Sequence, residues 1–461
     1  MKMKYYLILT LSIVCAAFCP QANGQTYYNF ALGSATGAGF NSSHSFIRHI
    51  DGQSAVAYYG GVGTSTSVLV YINLNPLTIS ELKLGDYTEV KDIRIVNYNN
   101  ADVVFFCGRE TLTNQGFIGF VTVSDLANAT PNSIKCYTLQ TGSITTMWRL
   151  AAYDDGTGVI RVVSIGNTLY ENNNALSFLP CPLYTICQAS FFVEYTYTGG
   201  LLIPAGGRIV GDIGGRFERA DDVVVTDNWL AIVSYYPELS EIIIHRCSKT
   251  NVTGTFDNNF YCYNVPYLEG VNHCCHMKGD TIADALLYCT AGTAPYESHL
   301  RIFDLNTMTM TRAQWFPLLE KAEPQEVVYL PDYATLVTLQ YQMYPLGDLH
   351  YTFVHWKPYN ATPYNANLMR ESQYDLPFYI VDKLTPKHII ATGGDYWFMK
   401  DIVYDDPSTT CYKTATQQVS DLQLSSPVLN SNNYGNFGLY LIPIPTGSIN
   451  PVTLNLDCNT P

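Results

Sequence analysis

Short apolar runs rich in β-branched and aromatic residues recur along this chain, and each is followed by a turn-rich gap and a second such run. These residue types favour strands, and runs without a polar face are typical of strands that are covered on both sides. The first runs repeat about every 55 residues. They are AVAYYG (55–60), VVFFCG (103–108), VIRVVSI (159–165), LAIVSYY (230–236), ALLYC (285–289), TLVTLQY (335–341) and HIIATGG (388–394).

The second run of each unit is equally apolar and is bounded by Gly, Asn, Asp or Pro, residues that end strands. Helical periodicity is weak, and residues 312–322 are the one modest helix candidate, with Pro317 opposing a long helix. The pattern therefore predicts an all-β chain. The second runs include SVLVYINL (67–74), GFIGFVTV (116–123), EIIIHRC (241–247), HLRIFDL (299–305) and YTFVHW (351–356).

A strand-built unit of this length predicts a β-propeller, because each four-stranded blade must bury its faces against neighbouring blades. We expect seven blades in a single domain, with six and eight as alternatives. Terminal strands near 26–32 and 436–444 are expected to pair and close the ring, since unpaired edges promote aggregation. A longer interval after the third run predicts an elaborated loop around the glycine-rich residues 206–215. Two tandem β-sandwiches are the alternative architecture.

The N-terminus has the pattern of a secretory signal peptide, with a basic MKMK start, an apolar stretch over 5–18 and small residues at Ala22 and Gly24. A lipid anchor at Cys15 or Cys19 is the alternative. The predicted divisions are a signal peptide at 1–24, a β-propeller domain at 25–445 and a C-terminal tail at 446–461.

Composition and charge limit where in the cell the protein is expected and which partners it is expected to bind. No later stretch stays apolar over the roughly 18 to 20 residues of a membrane helix, so we expect an extracytoplasmic protein, whether periplasmic, on the cell surface or secreted. Loss of Lys2 and Lys4 with the signal changes the net charge from −14 to about −16. A chain this acidic repels phosphate backbones, which disfavours nucleic acid as a partner.

Cysteine use agrees with export. Eleven cysteines follow the predicted signal, and in an oxidising compartment most of them are expected to pair. The candidate pairs are Cys107 with Cys136, Cys181 with Cys187, Cys247 with Cys262, Cys275 or Cys274 with Cys289, and Cys411 with Cys458.

In its periodicity, nearly all of the mature chain resembles secreted β-propeller proteins. The resemblance stops at the fold, because Trp-Asp dipeptides of the WD40 kind are absent from the sequence. Glycine doublets at 60–61 and 393–394 are similar to those of Kelch repeats, but the other units lack them. The segment YDDGTG (153–158) lacks the leading Ser and closing Thr-Trp of a sialidase Asp-box, so no family's active residues carry over.

One charged segment, GRFERADD, follows the glycine-rich stretch and is the first candidate for a ligand rim. Carboxylates beside guanidinium groups can hold a sugar or perform acid–base chemistry, whereas the alternative is a solvated turn entering a strand. Tyrosine doublets add rings that stack on sugars, although core packing is the competing interpretation. The predicted ligand-binding residues are Arg216, Glu218, Arg219, Asp221, Asp222, Tyr235 and Tyr236.

Two other clusters are interpreted as structural, and we predict no metal and no cofactor. The HCCH segment at 273–276 has zinc-type ligands, but alternate residues of an extended segment point to opposite faces. A disulfide-bearing loop is therefore favoured there. The Asp154-Asp155-Gly156 sequence is typical of a hairpin turn and lacks the pattern of a calcium loop.

Sequence signatures of catalysis are absent: the chain has no G-x-S-x-G, H-E-x-x-H or phosphate-loop motif. We therefore expect an exported, non-enzymatic propeller that binds a glycan or an envelope protein through loops at one mouth of the ring. The alternative is an extracytoplasmic carbohydrate-active hydrolase or lyase that uses Glu218, Asp221 or Asp222.

Overall fold

The computed structural model is built from strands throughout the residues that it describes. The residues that it describes are 27–34, 45–59, 66–86, 88–139, 144–171, 186–211, 219–236, 241–250, 252, 260–264, 278–293, 296–317, 322–331, 335–343, 349–356, 367–372, 378–386, 388–393, 397–402, 412–417, 420–421, 428–430, 433–436, 441–443 and 452–460.

The first half of the chain contributes strands of 5 to 13 residues. They are β1 (Tyr27–Ser34), β2 (Ser45–Asp51), β3 (Ser54–Tyr59), β4 (Thr66–Leu74), β5 (Leu77–Asp86), β6 (Thr88–Tyr98), β7 (Ala101–Glu110), β8 (Gln115–Thr122), β9 (Lys135–Leu139), β10 (Ile144–Asp154), β11 (Ile160–Glu171), β12 (Ile186–Thr198), β13 (Leu201–Gly211), β14 (Arg219–Val225), β15 (Trp229–Tyr236), β16 (Glu241–Ser248) and β17 (Phe260–Asn264). One short helix, α1 (Val123–Ala127), separates β8 from β9.

The second half continues the pattern and includes strands as short as two residues. They are β18 (Lys278–Ile282), β19 (Ala285–Thr293), β20 (Tyr296–Asp304), β21 (Thr309–Pro317), β22 (Ala322–Leu330), β23 (Thr335–Met343), β24 (Leu349–Trp356), β25 (Asn367–Ser372), β26 (Phe378–Thr385), β27 (His388–Gly393), β28 (Trp397–Ile402), β29 (Tyr412–Gln417), β30 (Ser420–Asp421), β31 (Val428–Asn430), β32 (Asn433–Asn436), β33 (Leu441–Pro443) and β34 (Val452–Thr460).

Within the described residues these strands form seven antiparallel sheets, numbered here in chain order. Four consecutive strands build each of sheets 1 to 6, beginning with β2, β6, β10, β14, β18 and β22. Sheet 7 consists of β26, β27, β28 and the N-terminal β1. Each of the seven first runs in the sequence supplies the second strand of one sheet, and the second runs supply third strands. The all-β prediction is therefore confirmed.

The first strands of the sheets follow one another in space as they do in the chain. Strand β2 contacts β6, which contacts β10, and the succession continues through β14, β18, β22 and β26. Strand β26 then contacts β2, so the succession returns to the sheet where it began.

The core lies between neighbouring sheets. One buried cluster joins sheets 1 and 2, another joins sheets 2 and 3, and two more join sheet 4 to its neighbours. Strand β7 shows the cause, because Val104 and Phe106 face sheet 1 whereas Phe105 faces sheet 3, where its ring lies 5.1 Å from that of Tyr197. Alternate side chains leave a strand on opposite faces, so an uninterrupted apolar run is covered on both.

The C-terminal strands pair with the outer edges of sheets already formed. Strands β29 to β33 add to sheets 6, 5, 4, 3 and 2 in that order, and β34 adds to sheet 7 beside β1. The predicted pairing of 26–32 with 436–444 is therefore wrong, since β1 pairs with β28 and β34 whereas β33 pairs with β9. The helix candidate at 312–322 is also wrong, because β21 occupies residues through Pro317 and pairs with β20.

Two predicted disulfides are wrong, because Cys107, Cys136 and Cys247 are buried and take part in no disulfide. Cys107 belongs to the cluster between sheets 2 and 3 and Cys136 to the cluster between sheets 1 and 2, so their side chains leave sheet 2 on opposite faces. Cys247 lies opposite Leu230, four positions along β16 from the residue that pairs with Cys262. The other candidate pairs, Cys181 with Cys187, Cys275 with Cys289 and Cys411 with Cys458, involve side chains outside the described set.

The described part of the chain contains no helix long and apolar enough to cross a membrane.

Glycines that follow the first runs accommodate bulges in the neighbouring strands. Gly108 lies opposite Val90, where β6 carries a bulge before Asp92. A Cβ atom on Gly108 would lie 1.9 Å from the carbonyl oxygen of Glu89, and one on Gly166 would lie 2.0 Å from that of Thr146. Any side chain at these positions therefore collides with backbone.

We expect Gly108→Ala to lower the free energy of unfolding by about 1–3 kcal/mol, because the backbone of β6 must move to make room for the methyl group. Urea denaturation measures the effect. The control is Gly52→Ala, whose nearest atom would be the Thr385 methyl at 3.1 Å. Equal costs for the two variants would contradict this steric explanation.

Candidate functional site

A cavity of about 510 Å³ lies where the first strands of the sheets meet. Every sheet contributes to it through its first strand, and the residues involved occupy the C-terminal halves of these strands. The lining residues on the first strands are Arg48, His49, Ile50, Arg94, Ile95, Asn97, Ala151, Ala152, Val223, Val224, Val225, Thr281, Val327, Val328, Asp382 and Lys383, and Asp102 is added from β7.

Bulges in three adjacent first strands place charged residues at equivalent positions. The register shifts fall just before Asp92 in β6, Arg149 in β10 and Asp222 in β14. A bulge re-aims the side chains beside it, and here the result is an alternating series of acid, base and acid across sheets 2, 3 and 4. The main-chain N–H that follows each acid donates to it, from Ile93 at 2.9 Å and from Val223 at 3.0 Å.

The carboxylate of Asp92 is the centre of this series. It is fully buried, and its Oδ1 lies 3.1 Å from Nη2 of Arg48, 3.0 Å from Nη1 of Arg94 and 3.7 Å from Nη1 of Arg149. The other oxygen, Oδ2, accepts the main-chain N–H of Leu150 at 3.1 Å. One carboxylate therefore connects the first strands of sheets 1, 2 and 3.

Electrostatics keep Asp92 ionised. Burial acts to raise the pKa of its carboxyl, but the three neighbouring guanidinium groups and the N–H of Leu150 outweigh burial, so the pKa of Asp92 lies below its ordinary value. Arg149 extends the network, because its Nε lies 4.0 Å from Oδ1 of Asp222. Removing one member of a buried ion network strongly destabilises the folded protein, because the remaining charge is left buried without compensation.

A second polar contact, between His49 and Asp382, joins sheet 7 to sheet 1. Oδ2 of Asp382 accepts the main-chain N–H of His49 at 2.8 Å and lies 2.8 Å from Nδ1 of the same histidine. Burial acts to raise the pKa of Asp382, but the hydrogen bonds and charge of His49 outweigh it, together with the charge of Arg48, and the pKa lies below its ordinary value. Polar contacts therefore cross from sheet 7 through sheets 1, 2 and 3 to sheet 4.

The walls of the cavity differ in chemistry. Sheets 7, 1 and 2 contribute every charged lining residue, including Lys383, Arg48 and Arg94. Sheets 3 to 6 contribute alanines and valines with a single hydroxyl from Thr281. A ligand in this cavity would meet hydrogen-bond donors on one side and an apolar surface on the other.

None of the residues predicted to bind ligand is among the described residues that line this cavity. Arg216 and Glu218 fall outside the described residues, and Arg219 begins β14 at the end opposite the cavity-lining valines. Asp221 and Asp222 are buried in β14, so the alternative of a solvated turn is wrong for them. Tyr235 and Tyr236 end β15, and their side chains lie outside the described set. The glycine-rich segment enters β13 as far as Gly211 instead of forming a loop throughout.

The other predicted clusters have separate outcomes. The hairpin turn at Asp154-Asp155-Gly156 is confirmed between β10 and β11, with Gly156 at a φ of 85°. The Asp155 carboxylate is used within the hairpin, where it accepts from Thr157 N at 2.9 Å and from Arg161 Nε at 2.8 Å. The HCCH segment at 273–276 lies outside the described residues.

The charged network escaped sequence analysis, although a signal for it exists. The segments KDIRIV, WRLAA and DDVVV each contain a charged residue just before apolar positions, about ten positions upstream of a first run. A charge inside a strand is usually interpreted as marking a solvated face. Only its recurrence at the same place in successive units indicates a shared buried position.

Comparison with known proteins supplies no relative from which a function could be transferred, since neither the protein-family models nor the curated proteins give a match to this chain.

We expect Asp92→Asn to lower the free energy of unfolding at pH 7 by about 3–5 kcal/mol, because three guanidinium groups lose the charge that they share. The folded pKa of Asp92 is lowered. Its stabilising contribution is therefore complete above the unfolded pKa of about 3.9 and is lost as pH falls through the folded value. Chemical denaturation at pH 7 and pH 3 should show the difference between wild type and variant shrinking at the lower pH.

Asp102→Asn is the matched control, because this carboxylate accepts only the Asn97 amide at 2.9 Å among the described contacts. A cost for Asp92→Asn no larger than that of the control would show that the buried network does not stabilise the protein.

Proposed function

We propose that the seven sheets are the blades of a seven-bladed β-propeller. The support is the succession of first strands, which passes through all seven sheets and returns from β26 to β2. Strand β1 completes the last sheet, so the N-terminal end of the described chain is joined to a C-terminal blade. Closure of this kind covers the two apolar faces that an open stack of sheets would leave at its ends.

We propose further that this propeller is an exported, non-enzymatic protein that binds a glycan in its axial cavity. The observation that carries this proposal is the cavity of about 510 Å³, to which the first strand of every sheet contributes. Its volume falls in the range of about 300–1,000 Å³ that is typical of small-molecule sites. Donors on one wall and valines on the other suit a sugar, which has hydroxyl groups and an apolar face. Export is proposed from the N-terminal pattern, not from cysteine pairing.

The carboxylates of the cavity support binding over hydrolysis. Within the described lining they are Asp102 and Asp382. A glycosidase needs a carboxyl group with a raised pKa as general acid, paired with a second carboxylate. The pKa of Asp382 is lowered by His49, which makes this residue a poor proton donor near neutral pH.

A glycan array combined with a reducing-sugar assay tests this function. We expect the wild-type protein to bind glycans without releasing reducing sugar. Ala152→Trp should abolish binding, because a large ring at this lining position obstructs the cavity. The control, Thr78→Trp, places the same ring at an exposed position in the fourth strand of sheet 1 and should bind normally.

Sugar release by the wild-type protein would instead establish the enzymatic alternative. Equal binding by both tryptophan variants would show that the glycan site lies elsewhere on the molecule.

A further inference from the structure

The cavity wall formed by sheets 7, 1 and 2 has cationic groups with unused hydrogen-bonding capacity. Lys383 lies on β26, lines the cavity and makes no hydrogen bond or ion pair with the described residues. Arg94 is 25% exposed at its side chain, and only its Nη1 is engaged, with Asp92 at 3.0 Å and with the carbonyl of Ile93 at 3.2 Å. Both residues can therefore donate to a ligand.

His49 lies on the strand between those that carry the two cations. Its Nδ1 is held by Asp382, so its Nε2 is the ring nitrogen left for a ligand. The side chain is 34% exposed and lines the same cavity. Sheets 7 and 2 thus each present a cationic donor to one wall, and the imidazole of sheet 1 lies between them.

The carboxylates of this wall do not cancel these donors. Oδ2 of Asp382 accepts two hydrogen bonds from His49, and Asp102 accepts the Asn97 amide. Behind the wall, Asp92 is shared among three guanidinium groups. The lining therefore has three cationic side chains, Arg48, Arg94 and Lys383, against two carboxylates. In a protein with a net charge of −14, this is a local reversal of sign.

We infer that the axial cavity selects a sugar acid, an inference that depends on the glycan-binding function proposed above. The carboxylate of the sugar is held by Arg94 and Lys383, whose charge-assisted hydrogen bonds to it are stronger than those to a neutral hydroxyl. The apolar face of the ring lies against the valines of sheets 4 and 6. A small inorganic anion can bind the cationic wall, but it makes no contact with the valines of the opposite wall.

Isothermal titration calorimetry with digalacturonate, a neutral disaccharide of the same size and inorganic phosphate tests this inference. We expect digalacturonate to bind at least about tenfold more tightly than the other two, because one charge-assisted contact corresponds to about that factor. Arg94→Gln and Lys383→Gln should each weaken digalacturonate binding by about tenfold and leave affinity for the neutral disaccharide unchanged.

Lys135→Gln is the matched control, since Lys135 is exposed in the fourth strand of sheet 2. Lys383 has no described partner, so Lys383→Gln tests the inference even if Arg94→Gln disturbs the Asp92 network. Thermal melts verify that each variant is folded.

Equal affinity for the acidic and neutral disaccharides, or wild-type affinity in Lys383→Gln, would overturn the sugar-acid inference and leave glycan binding intact. Phosphate binding as tight as that of digalacturonate would show that the wall recognises an anion without a sugar. Failure of both disaccharides to bind at millimolar concentration would contradict the proposed function itself.

Discussion

A sheet that is apolar on both faces must be covered on both faces, and this constraint determines how the sheets of this protein are arranged. Each of the first three sheets packs through buried side chains against the next sheet in the chain. Sheet 1 has no predecessor in sequence, yet its cluster includes Leu384 and Ile390 of sheet 7. The last sheet therefore covers the first, as hydrophobic burial requires of every two-sided sheet.

The same arrangement concentrates charge where the first strands converge. Bulges place Asp92, Arg149 and Asp222 at one level, where the guanidinium of Arg149 lies 3.7 Å from one carboxylate and 4.0 Å from the other. Removing one member of such a buried set leaves an uncompensated charge. Because bases outnumber acids on the wall of sheets 7, 1 and 2, the network both joins strands and leaves donors for a ligand. Structure and proposed binding thus depend on the same side chains.

Sequence analysis succeeded where one physical signal dominates. The uninterrupted apolar runs predicted the second and third strands of the sheets, because a strand that is buried on both faces has apolar residues at consecutive positions. Sequence analysis failed for the C-terminal strands. A segment as short as Ser420–Asp421 shows no periodicity, and it forms a strand only by pairing with the edge of a sheet that is distant in sequence. Cysteines at 107 and 136 were paired from spacing, which does not show which face of a sheet each thiol occupies. The charged network depends on bulges, and register is not visible in one strand alone.

The contact between His49 and Asp382 tests the central claim most directly, because it joins sheet 1 to sheet 7 across 333 residues of sequence. A double-mutant cycle with His49→Ala and Asp382→Ala, measured by chemical denaturation, gives their coupling energy. If the last sheet covers the first, this energy exceeds about 0.5 kcal/mol, as it does for residues in direct contact. Costs that simply add in the double variant would contradict the proposed closed ring.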